Sequence, residues 1–279
     1  MIESIFFEII VENKKIAITE NPNLQAQETI VCAMYQWVCL HFVVCMISLT
    51  SSILHQTRVA GRLVNKTPLS PTDDLSPFTY SLASITDLDS SKDNFLATQV
   101  WPSARVASNA LLELADANWK VCEFGCGPGL PSIAAARKGC PLVVATDVDN
   151  FALELVQAAS KEQDLVQQLV TYQIDLTQNA SCVISNAPWF QEIDLFLMAD
   201  IFENAQVARG AADLTKEILK LSHGPNVWVF AQADRAQRED YLESIREIFP
   251  KAKWRGLGEH DPSNNLWLVD LDETKVKYG

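Results

Sequence analysis

Three glycines at alternate positions, Gly125, Gly127 and Gly129, follow the run Val121-Cys122-Glu123-Phe124 and narrow what this chain can fold into more than any other feature. The run is apolar except for one carboxylate and reads as a strand. The glycines read as a tight loop. Pro131 suits a first helical turn, Ala134 to Ala136 favour helix, and Gly139 suits a left-handed C-terminal position. A bare loop between strand and helix lets a small ligand approach the backbone closely. The spacing G-x-G-x-G, with an acid two residues ahead, differs from the G-x-G-x-x-G of dinucleotide loops. The Gly-Lys-Ser/Thr of a Walker loop is absent. A strand-to-helix turn without any ligand would use the same residues.

A second acid strengthens the ligand reading. Pro141 to Asp147 reads as the next strand and ends in a carboxylate, which a βαβ unit sets beside the loop, in reach of ribose hydroxyls. The intervening helix is long enough for a crossover, so the sheet is expected to be parallel. Asp149 is the competing acid, better read as the N-terminal cap of a helix starting near Asn150.

The rest of the chain continues the alternation. Helices are expected over about 103–115, 151–160, 207–221 and 241–249, and strands over 169–175, 194–200 and 227–230, with an antiparallel pair near 253–257 and 266–271. The expected fold class is α/β: a Rossmann-like seven-stranded sheet with helices on both faces and an antiparallel last pair. The expected domains are an N-terminal extension over 1–64, a Ser/Thr/Pro/Asp-rich linker or lead-in over 65–93, and the α/β domain over 94–279.

Composition closes several routes. The net charge of −13 leaves no basic stripe for nucleic acid. Seven cysteines lack zinc-type pairing and four histidines form no ligand-spaced pair, so no metal site is expected and an intracellular, cytoplasmic location is. Ile30 to Leu54 contains no Asp, Glu, Lys or Arg and is long enough to cross a bilayer. Arg58, Arg62 and Lys66 follow it, so a span there would leave the C-terminal domain in the cytosol and give a membrane association. Gln36, His41 and Thr50-Ser51-Ser52 count against a span, and a buried helix or a leader has the same composition.

From about Phe95 onward the chain resembles class I S-adenosylmethionine-dependent methyltransferases, and within them the methyltransferase-like protein lysine methyltransferases. It is most similar to the branch containing electron-transfer-flavoprotein β-subunit lysine methyltransferase. The words that carry the resemblance are Gln99 to Arg105, Glu123 to Gly129, Ala145 to Leu153 and Asp194 to Phe202. The resemblance implies S-adenosylmethionine as cofactor, held by Trp101, Glu123, Gly125, Cys126, Gly127, Gly129, Asp147, Asp175 and Ala199. It also implies a protein substrate with an acceptor lysine, whose amine Asp200 would orient. Trp101, Asp175 and Ala199 serve equally as a helix-entry aromatic, a strand-end cap and a small core residue. Where relatives commonly carry Asp-x-x-Tyr, this chain has Asp200-Ile201-Phe202-Glu203, so a carboxylate replaces the aromatic.

Asn186-Ala187-Pro188-Trp189 is similar to the Asn-Pro-Pro-aromatic motif of enzymes that methylate amide or exocyclic nitrogens, but it precedes the fourth strand instead of ending it. The alternatives are therefore a small-molecule amine or amide/nucleobase N-methyltransferase, and a non-catalytic cofactor-binding or membrane-tethered scaffold.

Overall fold

A computed structural model of the chain describes residues 56–84, 95–257 and 265–272. The apolar segment 30–54 lies outside the described residues. Among those described, no helix is long and apolar enough to cross a membrane.

Strands β4 (Lys120–Phe124), β5 (Leu142–Asp147), β6 (Leu169–Gln173), β7 (Leu195–Ala199), β8 (Asn226–Gln232), β9 (Arg255–Gly256) and β10 (Leu266–Leu271) form one sheet. Its order is β6-β5-β4-β7-β8-β10-β9. The order turns at β4: the chain builds outward through β5 and β6, then returns to the other side of β4 with β7. A crevice opens above the carboxyl ends of strands at such a reversal, and ligands bind there in open α/β sheets.

Helices α1 (Pro102–Leu114), α2 (Leu130–Lys138) and α3 (Asn150–Glu162) cover one face; α4 (Ala180–Ser185), α5 (Ala205–Ile218) and α6 (Arg238–Arg246) cover the other. β7 shows why both faces are buried. Leu195 and Leu197 enter the core with α1 to α3, while Phe196 and Met198 enter the core with α5 and α6. An all-apolar strand is the expected signature of a parallel sheet clad on both sides. Asp149 caps α3 as its sequence position predicts, accepting from the Phe151 and Ala152 N–H groups at 2.8 and 3.0 Å.

Two expectations need correction. β10 runs parallel to both β8 and β9, not antiparallel. The closeness of the two segments in sequence suggests a hairpin. However, α6 supplies a crossover from β8, and β9 touches only Val269 and Asp270 near the far end of β10.

The linker expected over 65–93 is also largely structured, within a compact unit that begins at His55. β1 (Gln56–Val59), β2 (Arg62–Pro68) and β3 (Phe78–Leu82) form a separate antiparallel sheet. Its Ser and Thr content suggests a linker, but these side chains satisfy one another inside the pairing, as Thr67 and Ser81 do at 2.8 Å. Every residue of β3 is buried. Gln163 Nε2 donates to the Phe78 carbonyl at 2.8 Å, and the Tyr80 hydroxyl donates to Glu162, tying the sheet to the end of α3. Residues 85–94 lie outside the described residues.

Candidate functional site

The crevice above β4 and β7 is a cavity of about 220 Å³. All ten residues expected from the sequence line it: Trp101, Glu123, Gly125, Cys126, Gly127, Gly129, Asp147, Asp175, Ala199 and Asp200. They come from five separate stretches of chain, and the switch-point topology gathers them.

The loop is glycine-rich because the protein itself leaves no room there. Gly125 and Gly129 have φ of 62° and 70°. An added Cβ would lie 2.6 Å from Ile201 Cγ2 at the first and 2.5 Å from Val156 Cγ2 at the second. Within the loop, N–H groups are bonded to the protein itself, Cys126 N–H to the Thr146 carbonyl and Gly129 N–H to the Cys126 carbonyl, both at 2.8 Å. Gly127 N–H donates to Asp147 Oδ2 at 2.8 Å, while Asp149 N–H donates to Oδ1 at 2.9 Å. Asp147 therefore fixes the loop while its carboxylate also lines the cavity.

Glu123 is the penultimate residue of β4 and is 1% exposed. Its Oε2 accepts from both Ser132 N–H at 2.9 Å and Ser132 Oγ at 2.5 Å, which pins the first turn of α2. Burial raises its pKa to about 8, against the two Ser132 bonds, with Asp147 adding to the rise. Asp147 is raised to about 6, again chiefly by burial. Burial pushes the Cys126 thiol well up, so it contributes a neutral wall.

These shifts have a sign. A carboxyl that keeps its proton when folded, but has lost it when unfolded, makes stability fall as pH rises through that window. For Glu123 the window runs from its ordinary value near 4.5 up to about 8, and Asp147 adds to the fall up to about 6. The slope per group is at most about 1.4 kcal/mol per pH unit. Glu123→Gln is expected to flatten the upper part of this decline. Urea midpoints measured across the window test it, and equal slopes for both proteins would show Glu123 ionised in the folded state.

On the opposite wall, Trp101 donates its indole N–H to the Leu96 carbonyl at 3.0 Å. Asp175 caps its own turn, accepting from Thr177 N–H and Oγ1 at 2.8 and 2.7 Å. It thus acts as a turn cap and also lines the cavity.

Asp200 lies on the cavity wall but does not offer an open carboxylate. Arg235 meets it through Nε at 3.1 Å and Nη2 at 3.2 Å, and Gln232 Nε2 donates to it at 2.7 Å. Sequence reading passed over Arg235 and Gln232. The signal was a polar run, Gln232-Ala233-Asp234-Arg235, at the carboxyl end of a strand near the switch point.

Asn186 takes no part in the cavity. It is the C-terminal cap of α4, and Val183 to Ser185 are helical, so the Asn-Ala-Pro-Trp word does not end a strand. Asn186→Ala is expected to leave transfer activity within about twofold of wild type, the scale of a neutral surface change. A loss of tenfold or more would restore the amide reading.

Known proteins share this core. The family model "Ribosomal protein L11 methyltransferase (PrmA)" matches residues 102–199. The ribosomal protein L11 methyltransferase of Shewanella sp. (strain ANA-3) is 32% identical over 75 residues, which is 27% of this chain and 26% of that protein. This chain thus spans about a quarter of the length of that relative. The electron transfer flavoprotein beta subunit lysine methyltransferase of Xenopus laevis is 25% identical over 172 residues, 61% of this chain and 64% of that one. Among solved structures, the branched-chain polyamine synthase from Thermus thermophilus superposes with a TM-score of 0.38 at 21% identity, covering 51% of this chain and 41% of that one.

Proposed function

We propose that this class I S-adenosylmethionine-dependent methyltransferase transfers a methyl group to the side-chain amine of a lysine in a protein substrate. The observation that carries the transfer is the meeting of all ten residues on one cavity at the switch point. The lysine acceptor is supported by the Xenopus relative, whose similarity covers 172 residues, 61% of this chain.

The residues present fit the cofactor. Asp147 presents a carboxylate to the cavity, suited to accept from ribose hydroxyls. Val148, Ile174 and Leu176 offer apolar surface for an adenine ring, with Asp175 at its edge. The bare loop and Glu123 lie at the end suited to an amino-acid portion. When bound, S-adenosylmethionine supplies a methyl group on a sulfonium, already activated toward nucleophiles.

The protein's own task is then alignment and exclusion of water. Trp101 and Leu96 wall the crevice, and a lysine amine shielded by them beside positive charge loses its proton more readily than in water. No nucleophile or metal is required of the chain. A cytoplasmic site of action accords with Cys122, Cys126, Cys140 and Cys182, which are free thiols.

The experiment is incubation of the full chain with tritiated cofactor and whole-cell extract, followed by gel separation and amino-acid analysis. Label recovered as methyl-lysine from a protein band is the expected result. Label confined to metabolites, or to nucleic acid, would replace the lysine reading.

A further inference from the structure

The part of the cavity wall formed by Trp101 and Asp200 already contains a cation. Asp200 follows β7 with a left-handed φ of 60°. That conformation is uncommon for any residue but glycine and persists only when its surroundings impose it. Here they do so by turning the carboxylate away from water: the Asp200 side chain is 0% exposed. Arg235 grips both of its oxygens, fork to fork, and Gln232 adds a third bond. The guanidinium carbon lies 4.8 Å from the centre of the Trp101 ring. Trp101, Asp200 and Arg235 all line the same cavity.

An aromatic face and a carboxylate set on one wall of a water-poor cleft recognise an organic cation. The geometry points to a cation subsite formed by Trp101 and Asp200 and filled in the resting protein by Arg235. It docks the acceptor side chain as its ammonium, before that ammonium gives its proton to water and the amine turns to the methyl group. The inference rests on the reading of the chain as a lysine methyltransferase and extends it, by stating what the acceptor must displace. For the acceptor to enter, Arg235 must leave by a change of rotamer; its side chain is 29% exposed, and it stands in the short connection between β8 and α6.

Competition from within has a consequence for substrate choice. A ligand that binds only when Arg235 has swung out has its affinity reduced by the fraction of molecules in that state. A free amine brings nothing but its ammonium and exchanges one cation for another at no gain. A lysine carried on a protein brings further contacts outside the crevice, and these can tip the exchange. The internal arginine would thus make the site selective for protein-borne lysine over small amines.

The test uses the full chain saturated with S-adenosylhomocysteine, and n-butylammonium as the probe. Arg235→Met keeps an apolar stem over Trp101 and removes the charge; Arg235→Lys keeps a cation. The expected result is n-butylammonium binding at least about tenfold tighter to Arg235→Met than to wild type. Arg235→Lys should stay within about threefold of wild type. With tritiated S-adenosylmethionine in place of S-adenosylhomocysteine, the labelled methyl group should pass to n-butylamine, its ammonium proton going to solvent, in the methionine variant alone. S-Adenosylhomocysteine affinity is measured first on all three proteins. Its absence from wild type would overturn the cofactor reading, separately from this one. If the methionine variant alone loses it, Arg235→Gln, whose amide still answers Asp200, replaces it. Unchanged n-butylammonium affinity in a variant that binds S-adenosylhomocysteine would overturn the subsite and leave Arg235 as a strut for Trp101.

Discussion

Asp147→Asn is expected to lower affinity for S-adenosylhomocysteine by about a hundredfold, equivalent to about 3 kcal/mol. The carboxylate accepts the Gly127 and Asp149 N–H groups, one on each oxygen. An amide has only one acceptor oxygen. Whichever way it turns, its NH₂ group faces a backbone N–H, donor against donor, and one end of the loop comes loose. The same change removes one of two charged acceptors offered to the ribose. Loop displacement and lost bonds therefore act together. The effect should also shrink with acidity. Because burial holds the Asp147 pKa at about 6, the wild-type group is itself protonated below that pH and the gap between the two proteins narrows. Calorimetric titration on either side of that value checks both statements. A change under about threefold on the alkaline side would remove Asp147 from the site.

The second large effect is expected at a residue that does not itself line the cavity. Gly210 sits within α5, where alanine would ordinarily gain up to about 1 kcal/mol of helix propensity. A Cβ there would lie 1.8 Å from the Leu176 carbonyl oxygen and 3.0 Å from its carbon. These are backbone atoms and cannot rotate aside. Overpacking of this kind costs about 1–3 kcal/mol, so the clash outweighs the propensity. Gly210→Ala should lower the melting temperature by about 5 °C. It should also weaken S-adenosylhomocysteine binding, because Leu176 and its neighbour Asp175 line the cavity and must move with the helix. Gly256→Ala, which meets nothing within 4 Å, is the control and should be close to neutral. If Gly210→Ala melts like the control, α5 and the segment after β6 are not in contact as described.

The sequence was legible where a local signal and a fold rule agreed. Leu266–Leu271 is strand over the residues expected, and Asp149 caps its helix because a short acid before an amphipathic run has few other uses. That these residues meet at one cavity was legible for a different reason: glycine spacing and strand-end acids occupy fixed positions in a doubly wound sheet. What could not be read depended on distant partners. Ser and Thr in β2 and β3 look like linker residues until each is given the other to bond. The direction of β10 depends on a return path and not on its own residues. Asp200 was visible as a position, but its engagement by Arg235, 35 residues further on, has no local signature.

The antiparallel sheet reaches the glycine loop as well: Thr79 donates its hydroxyl to the Pro128 carbonyl, 49 residues away in sequence. Lys66 meets Glu162 across 96 residues. Contacts of such long range form late in folding, because the closure entropy of large loops must be met before they contribute. The strand-loop-helix unit can assemble from neighbouring residues, but its final shape waits on a sheet made earlier from the ribosome and docked last. Ligand competence is therefore one of the closing events of folding, and the appearance of S-adenosylhomocysteine binding during refolding should trail the recovery of helical signal.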